Sequence, residues 1–531
     1  MMSQMHEELQ RDRFAVVVIA ALIIGGALAY LIKHNQTYIH IDAIAHVNKA
    51  RGLWDNTTPG LKQLGSIWLP LQHILIAPLT FSDYLWSTGL AGSLLSALCF
   101  VGTSWFLYAT AALWTMTRTA GWLAFLFFAL NPRLIYLFTT PMTEPLMILC
   151  ASGLVFYLTL WVDTESWRPF AWACLMACAG TLTRYEGWAI AAVAIPVVFI
   201  VSRRQRVAAT ILFAGASSLG PMLWMIYNLV YFEDPLMFAF GRGSARDYAQ
   251  EHFFRTGKLF HTAGDFSKSL ATYWTDVAYC LNPAVVAMAL AGAILAWVVW
   301  RKESWRITLI VVALAVVPFL YYTYNLYANM VPLLMPGLVA DEPNSIYNVR
   351  YGTVMAATAP TLAAFALLLL FQRIEQRRIF AVALVALMFI PSPVPEDGDE
   401  MPVQQLTNNL FYTEGIHNQS FWMPPFIEVA RRLKSDIADT HDQTSLILTN
   451  SRIVHPVVWA TAIHMKRLIN EMNKDRWDSN LNVIDPGIRW VITEEGDQLW
   501  HAQGKNLRRD WLEVASAKTP TTGVVHLYRR P

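Results

Sequence analysis

Four ionisable residues stand out by type and place: Asp42, Glu144, Arg184 and Arg350. Asp42 opens a stretch, Asp42 to Asp55, in which Ile44, Val47 and Trp54, with Ala43 and Ala50, share one helical face. A carboxylate at a helix start is favoured by the helix dipole, and its plainest role is an N-cap. Glu144 lies just inside an apolar run, in the segment Thr139–Pro145. Arg184 and Glu186 occupy a tight turn, Thr181–Trp188, between two more, and Arg350 and Tyr351 open another. Ionisable groups in or beside membrane spans are costly, hence functional candidates by default. Taken singly, each also reads as an interfacial side chain or as half of an ion pair such as Arg184 with Glu144. When the spans are threaded all four fall at the same membrane face, and that convergence describes a polar site there.

Other residues carry weaker signals. His40, His46 and His73 fall near Asp42 and Asp55, yet no HxH or HExxH spacing is present, and surface-helix histidines are usually only polar. The segment from Gly65 to His73, containing Trp68 and Pro70, is too short to span a bilayer and is predicted to be a second surface helix. Gly241 to Arg246 is glycine-rich and basic through Arg242 and Arg246. It lacks the spacing of a nucleotide-binding loop and reads equally as a solvated loop. The aromatic run Tyr321–Tyr327 reads as an interfacial belt. Five cysteines, Cys99, Cys150, Cys174, Cys178 and Cys280, lie in or beside apolar runs with no CxxC spacing, as buried small apolar residues do.

The elements that must position these groups follow from an uneven charge distribution. The chain has 531 residues, 55% hydrophobic and 15% charged, against about 25% charged in an ordinary soluble domain. From Ser392 onward 33 of 140 residues are charged, whereas the preceding 391 carry 45. The first part reads as a membrane body and the last as a soluble module. A net charge of +2 gives no nucleic-acid footprint. Continuous apolar runs occur at about 14–32, 84–114, 120–139, 142–162, 169–183, 187–202, 207–231, 283–300, 307–326, 351–371 and 379–391.

Threading eleven spans places the basic links 202–206, 301–306 and 372–378, with Arg11, Arg13, Arg118 and Arg168, on one side. By the positive-inside rule that side is cytoplasmic, and so is the N-terminus. The loops 33–83, 232–282 and 327–350 then lie outside with the C-terminal module. The first run follows two arginines and contains Ala27-Leu28-Ala29, but it is longer than a cleaved signal and reads as an anchor. A transmembrane body over 1–391, a proline-rich acidic linker over 392–424 and an α/β domain over 425–531 are expected. Pro425–Ile437 has helical spacing, and 445–449, 488–493 and 524–528 read as strands.

Several of these segments together resemble the GT-C superfamily of membrane glycosyltransferases, and within it the bacterial aminoarabinose-transferase and protein O-mannosyltransferase-like group. They are Asp42–Arg51, Gly65–Leu71, Asn131–Tyr136 with Thr143–Pro145, Leu182–Trp188 and Arg350-Tyr351, together with the C-terminal module. The resemblance implies a polytopic α-helical fold of about eleven spans with outside juxtamembrane helices and a C-terminal soluble α/β domain. It implies an inverting transferase that takes a sugar from a polyprenyl-phosphate donor at the outer leaflet of the bacterial inner membrane. Asp42 matches the first-loop acid that acts as general base, and Arg350 the basic residue at the lipid phosphate. Arg184, Glu144, Glu186 and Tyr351 match polar positions around the donor, while His46, Lys49, Trp68, Arg242 and Arg246 are candidate acceptor or loop contacts. The family often has two consecutive acids in its first loop; here Ala43 follows Asp42, so the base rests on one carboxylate. No cofactor is required by this reading, and a divalent metal is left open. The expected partners are the lipid-linked donor, a lipid, glycan or protein acceptor, and membrane lipids.

A lipid or sugar transporter or flippase with an extracytoplasmic accessory domain is the alternative. It calls for charges near the bilayer midplane and paired broken helices, whereas the charges here sit at span ends. A receptor or scaffold would leave Asp42, Glu144, Arg184 and Arg350 unexplained.

Overall fold

The computed structural model describes residues 2–299, 304–335, 346–371, 414–415, 423–520 and 523–531. The expected last span at 379–391, the basic links at 301–303 and 372–378, and most of the 392–424 linker lie outside the described residues. The chain forms two compact units: Met1–Lys33, Ser66–Gln72 and Leu94–Glu414 make the first, and His34–Gly65, His73–Ser93 and Gly415–Pro531 the second.

The first unit is helical because its sequence is apolar over lengths that must satisfy every backbone hydrogen bond internally. Among the described residues five helices are long and apolar enough to cross a membrane: Glu7–Lys33, Leu90–Thr115, Glu144–Thr164, Arg206–Phe232 and Trp305–Tyr327. Two further pairs meet the criterion together but are bent, Phe266–Leu281 with Pro283–Val298 by 111° and Tyr351–Ala357 with Ala359–Leu370 by 55°. The chemistry of the first bend is local. Asn282 adopts a left-handed backbone, φ 79°, and its side chain accepts from the Ala284 N–H at 2.9 Å, while Pro283 has no N–H to continue the preceding helix.

Several apolar runs depart from single full spans. The run 120–139 divides into Arg118–Ala129 and Pro132–Leu137, because Asn131 caps the second helix through the N–H groups of Arg133 and Leu134 and Pro132 cannot extend the first. The run 84–114 divides at Gly89, whose φ of +80° suits glycine alone, into Asp83–Ser87 and Leu90–Thr115. The runs 169–183 and 187–202 form shorter helices, Trp167–Thr181 and Glu186–Val201. The 232–282 segment is largely helical, with Met237–Phe240, Ala245–Thr256 and Phe266–Leu281. In the last of these Ser269, Thr272, Tyr273, Asp276, Val277 and Cys280 are buried at helical spacing.

The second unit is built on a five-stranded mixed sheet of order β2-β1-β3-β5-β4, with β1 Leu446–Thr449, β2 Leu468–Ile469, β3 Ile488–Glu494, β4 Leu512–Lys518 and β5 Val524–Arg529. β1 runs parallel to β2 and β3, while β5 is antiparallel to β3 and β4. Leu448, Ile469, Trp477, Ile488, Val491, Leu499, Leu507 and Tyr528 form its core. The Pro424–Asp439 helix buries the expected stripe of Phe426, Val429, Ala430 and Leu433.

The first-loop helix, Ile41–Gly52, belongs to this unit and is buried on both faces rather than lying with a wet polar side. Its Asn48 amide meets His455 Nδ1 at 3.2 Å and accepts from Trp86 Nε1 at 2.9 Å. Arg51, 1% exposed, donates to Asp55 at 2.7 Å, to Asp83 at 2.6 Å and to the Thr80 carbonyl. It lies between the Trp54 and Trp86 rings at 3.9 and 4.3 Å. A buried guanidinium so fully paired fixes the helix against its neighbours.

Candidate active site

In the first unit, Glu144 is the first residue of the Glu144–Thr164 helix and is 2% exposed. Pro145 follows it, pre-set for a helix start, and the dipole favours an anion there. Its Oε1 accepts from Arg184 Nη1 at 2.9 Å and from Arg350 Nε at 2.8 Å. The turn at 182–185 delivers Arg184, which also donates to Thr143 at 2.9 Å, to Glu186 at 2.5 Å and to the Tyr322 hydroxyl at 3.1 Å. Three separate stretches of sequence, carrying Glu144, Arg184 with Glu186, and Arg350, thus meet in one buried network.

Arg350 and Tyr351 stand at the start of a 3₁₀ turn, Tyr351–Ala357, and neighbouring elements fix that turn's backbone. Asp276, fully buried, accepts the Gly352 N–H at 2.7 Å, and Tyr273 donates to the Tyr351 carbonyl at 3.2 Å. Glu414 accepts the N–H groups of Asn348 at 2.8 Å and Val349 at 3.3 Å, and lies 3.8 Å from Arg350 Nη1. Gly352 is required by this close approach: a Cβ there would meet backbone atoms of Asp276 and Val277 at 2.8–2.9 Å. The rings of Tyr273, Tyr322 and Tyr351 stack in sequence, 5.1 and 5.0 Å apart.

Tyr322 corrects one expectation. The 321–327 run is not simply an interfacial belt, because Tyr322 is 3% exposed and bonded to Arg184. Its helical phase with the buried Leu314, Ala315 and Pro318 is the sequence signal that would have turned it inward. Asp276 and Tyr273 were hidden in a segment read as loop, and Glu414 in one read as linker. Arg242 and Arg246 stand exposed before and within the Ala245–Thr256 helix, Arg246 over the Phe240 ring. Trp68 is half-buried in the first unit.

In the second unit, Asp42 lies in the first turn of the Ile41–Gly52 helix with 27% of its side chain exposed. It is not the N-cap: His40 caps the helix, its Nδ1 accepting the Asp42 N–H at 3.2 Å. His46 Nδ1 and His73 Nε2 are 2.9 Å apart, both rings buried, and so share one hydrogen bond. Lys49 reaches the Leu64 carbonyl at 3.4 Å, and burial lowers its ammonium to about 8. His455 is pushed down to about 3 by burial and by the Lys49 charge. Among the described residues no group of three or more His, Cys, Asp or Glu is arranged to hold a metal ion.

Residues 81–227 match the family described as dolichyl-phosphate-mannose-protein mannosyltransferase. No curated protein matches the chain at a significant level. Two solved structures of ArnT from Cupriavidus metallidurans share the fold. The one bound to undecaprenyl phosphate has a TM-score of 0.57 at 13% identity, and the one in the apo state 0.54 at 12%. Each match covers 97% of this chain and 97% of the other. Over nearly its whole length, then, the chain shares the fold of ArnT, with helices long and apolar enough to cross a membrane in the first unit and a C-terminal sheet in the second.

Proposed function

We propose that the chain is an inverting glycosyltransferase that moves a sugar from a polyprenyl-phosphate donor to an acceptor hydroxyl. The reaction takes place at the outer leaflet of the bacterial inner membrane, with the N-terminus cytoplasmic and the C-terminal domain periplasmic. The observation that carries this reading is the buried network of Glu144, Arg184, Glu186 and Arg350, held at helix starts and turns of a GT-C fold. The family match over residues 81–227 and the undecaprenyl phosphate of the structural neighbour support the class of donor.

The chemistry is a direct displacement at the anomeric carbon. Asp42 takes the proton of the acceptor hydroxyl as the oxygen attacks, and the lipid phosphate departs with the bonding pair. Arg350 stabilises the charge gathering on that phosphate, Tyr351, Arg184, Glu144 and Glu186 line the donor site, and water exclusion strengthens each contact. A positioned base contributes roughly 10²–10⁴-fold. His46, Lys49, Trp68, Arg242 and Arg246 are assigned to the acceptor side or its loops. The mechanism needs no cofactor, and a divalent metal is compatible with it. Membranes carrying the chain should move label from radiolabelled polyprenyl-phosphate sugars to endogenous lipid, glycan or protein, and not from nucleotide sugars. Transfer from nucleotide sugars in the absence of lipid donors would overturn the reading.

A further inference from the structure

One atom of the network has no place in it. Glu144 Oε2 is buried and has no hydrogen-bond partner among the described residues, although Oε1 of the same carboxylate accepts from two guanidiniums. A buried carboxylate oxygen left bare is costly, and native structures keep such an atom for a purpose. What the atom lacks is a donor. A phosphate oxygen would not supply one to this atom, whose carboxylate is already held through Oε1 by Arg184 and Arg350. Arg184 already donates through Nε, Nη1 and Nη2 to Glu186, Thr143, Glu144 and Tyr322. It is therefore a brace for the two glutamates rather than a phosphate grip. The chemistry that fits the atom is a neutral group rich in O–H donors.

Resting on the reading above, we propose that Glu144 Oε2 accepts a hydrogen bond from a hydroxyl of the sugar on the lipid donor, making Glu144 a sugar-recognition residue. Arg184 holds its carboxylate in place through Oε1, and the Glu144 charge makes the contact stronger than a neutral one. A site that hydrogen-bonds a substrate hydroxyl discriminates strongly against analogues lacking it.

The test uses the full-length chain in nanodiscs, with binding read by native mass spectrometry. The probes are undecaprenyl phosphate and the same lipid bearing mannose, glucose or arabinose. The wild type should bind at least one sugar-bearing lipid more tightly than the bare one. Glu144→Gln should weaken the sugar-bearing lipid more than bare undecaprenyl phosphate, cutting the sugar increment by on the order of tenfold. Equal weakening for both lipids, an increment that survives the substitution, or a wild type with no increment for any sugar would each overturn the proposal. Should Glu144→Gln fail to fold, deoxysugar heads on the wild type decide the matter. Loss of the increment at one hydroxyl position supports the proposal, and tolerance at every position overturns it. Failure of the wild type to bind undecaprenyl phosphate at all would instead count against the donor class.

Discussion

Lys49 shows how a single half-buried charge links the sequence to a measurable property. Its helix is packed on both faces, so its ammonium lies in a low-dielectric setting and its pKa falls to about 8. An unfolded lysine titrates near 10.4. Between those values the folded chain binds fewer protons than the unfolded one, so this group's contribution to stability is poorest below pH 8 and improves as pH rises toward 10.4. Lys49→Met should therefore raise the thermal midpoint relative to wild type at pH 7, and the gain should shrink by pH 10. A constant difference across that range would show that burial of the charge is not what the substitution relieves. Arg51 gives the opposite case. Its removal by Arg51→Ala strands the buried Asp55 carboxylate, 2% exposed, and should destabilise the second unit by about 3–5 kcal/mol. Denaturant titration monitored at the tryptophans would measure it, and a shift within error would mean that water reaches Asp55.

Among the elements, the 3₁₀ turn Tyr351–Ala357 matters most, because it presents Arg350 and Tyr351. Its position is set by the Phe266–Leu281 helix, through the Asp276 contact to the Gly352 N–H and the near touching of their backbones at Gly352. Gly352→Ala forces those backbones apart, and an overpacked site of this kind costs about 1–3 kcal/mol. Transfer activity should fall well beyond what the lost stability explains, with activity measured on the folded fraction. Asp276→Ala should move activity in the same direction without adding volume. Activity unchanged in both would mean that the turn does not position the site. The sequence hid this element for a physical reason. The Phe266–Leu281 helix carries Lys268 and Asp276 among its apolar residues and stops at Asn282-Pro283, so its hydropathy falls short of a spanning run even though its buried face repeats at helical spacing. Expected strands at 445–449, 488–493 and 524–528 were legible because each is a short, uninterrupted buried run, whereas β4 has the mixed exposure of an outer strand and β2 is two residues long.

At the scale of the whole molecule, the charge-poor body and charge-normal tail anticipated the membrane helices and the sheet, because burial in lipid and burial in a soluble core select different compositions. Composition carries no information about which distant segments meet, so the packing of residues 34–65 and 73–93 in the same unit as the C-terminal sheet was invisible from it. The ion pair of Arg184 with Glu144 was legible because two costly opposite charges at span ends need each other. The role of Tyr322 was not, since an aromatic at a span end is ordinarily interfacial. The account as a whole stands on Asp42 acting as a base in sugar transfer from a lipid phosphate. Its most direct test is the rate at which purified chain in proteoliposomes moves labelled sugar from the polyprenyl-phosphate donor to acceptor, wild type against Asp42→Asn. The variant keeps size and helix position but cannot take the proton. The account predicts a fall of about 10²-fold or more with donor binding retained, and a variant that transfers at the wild-type rate would contradict it.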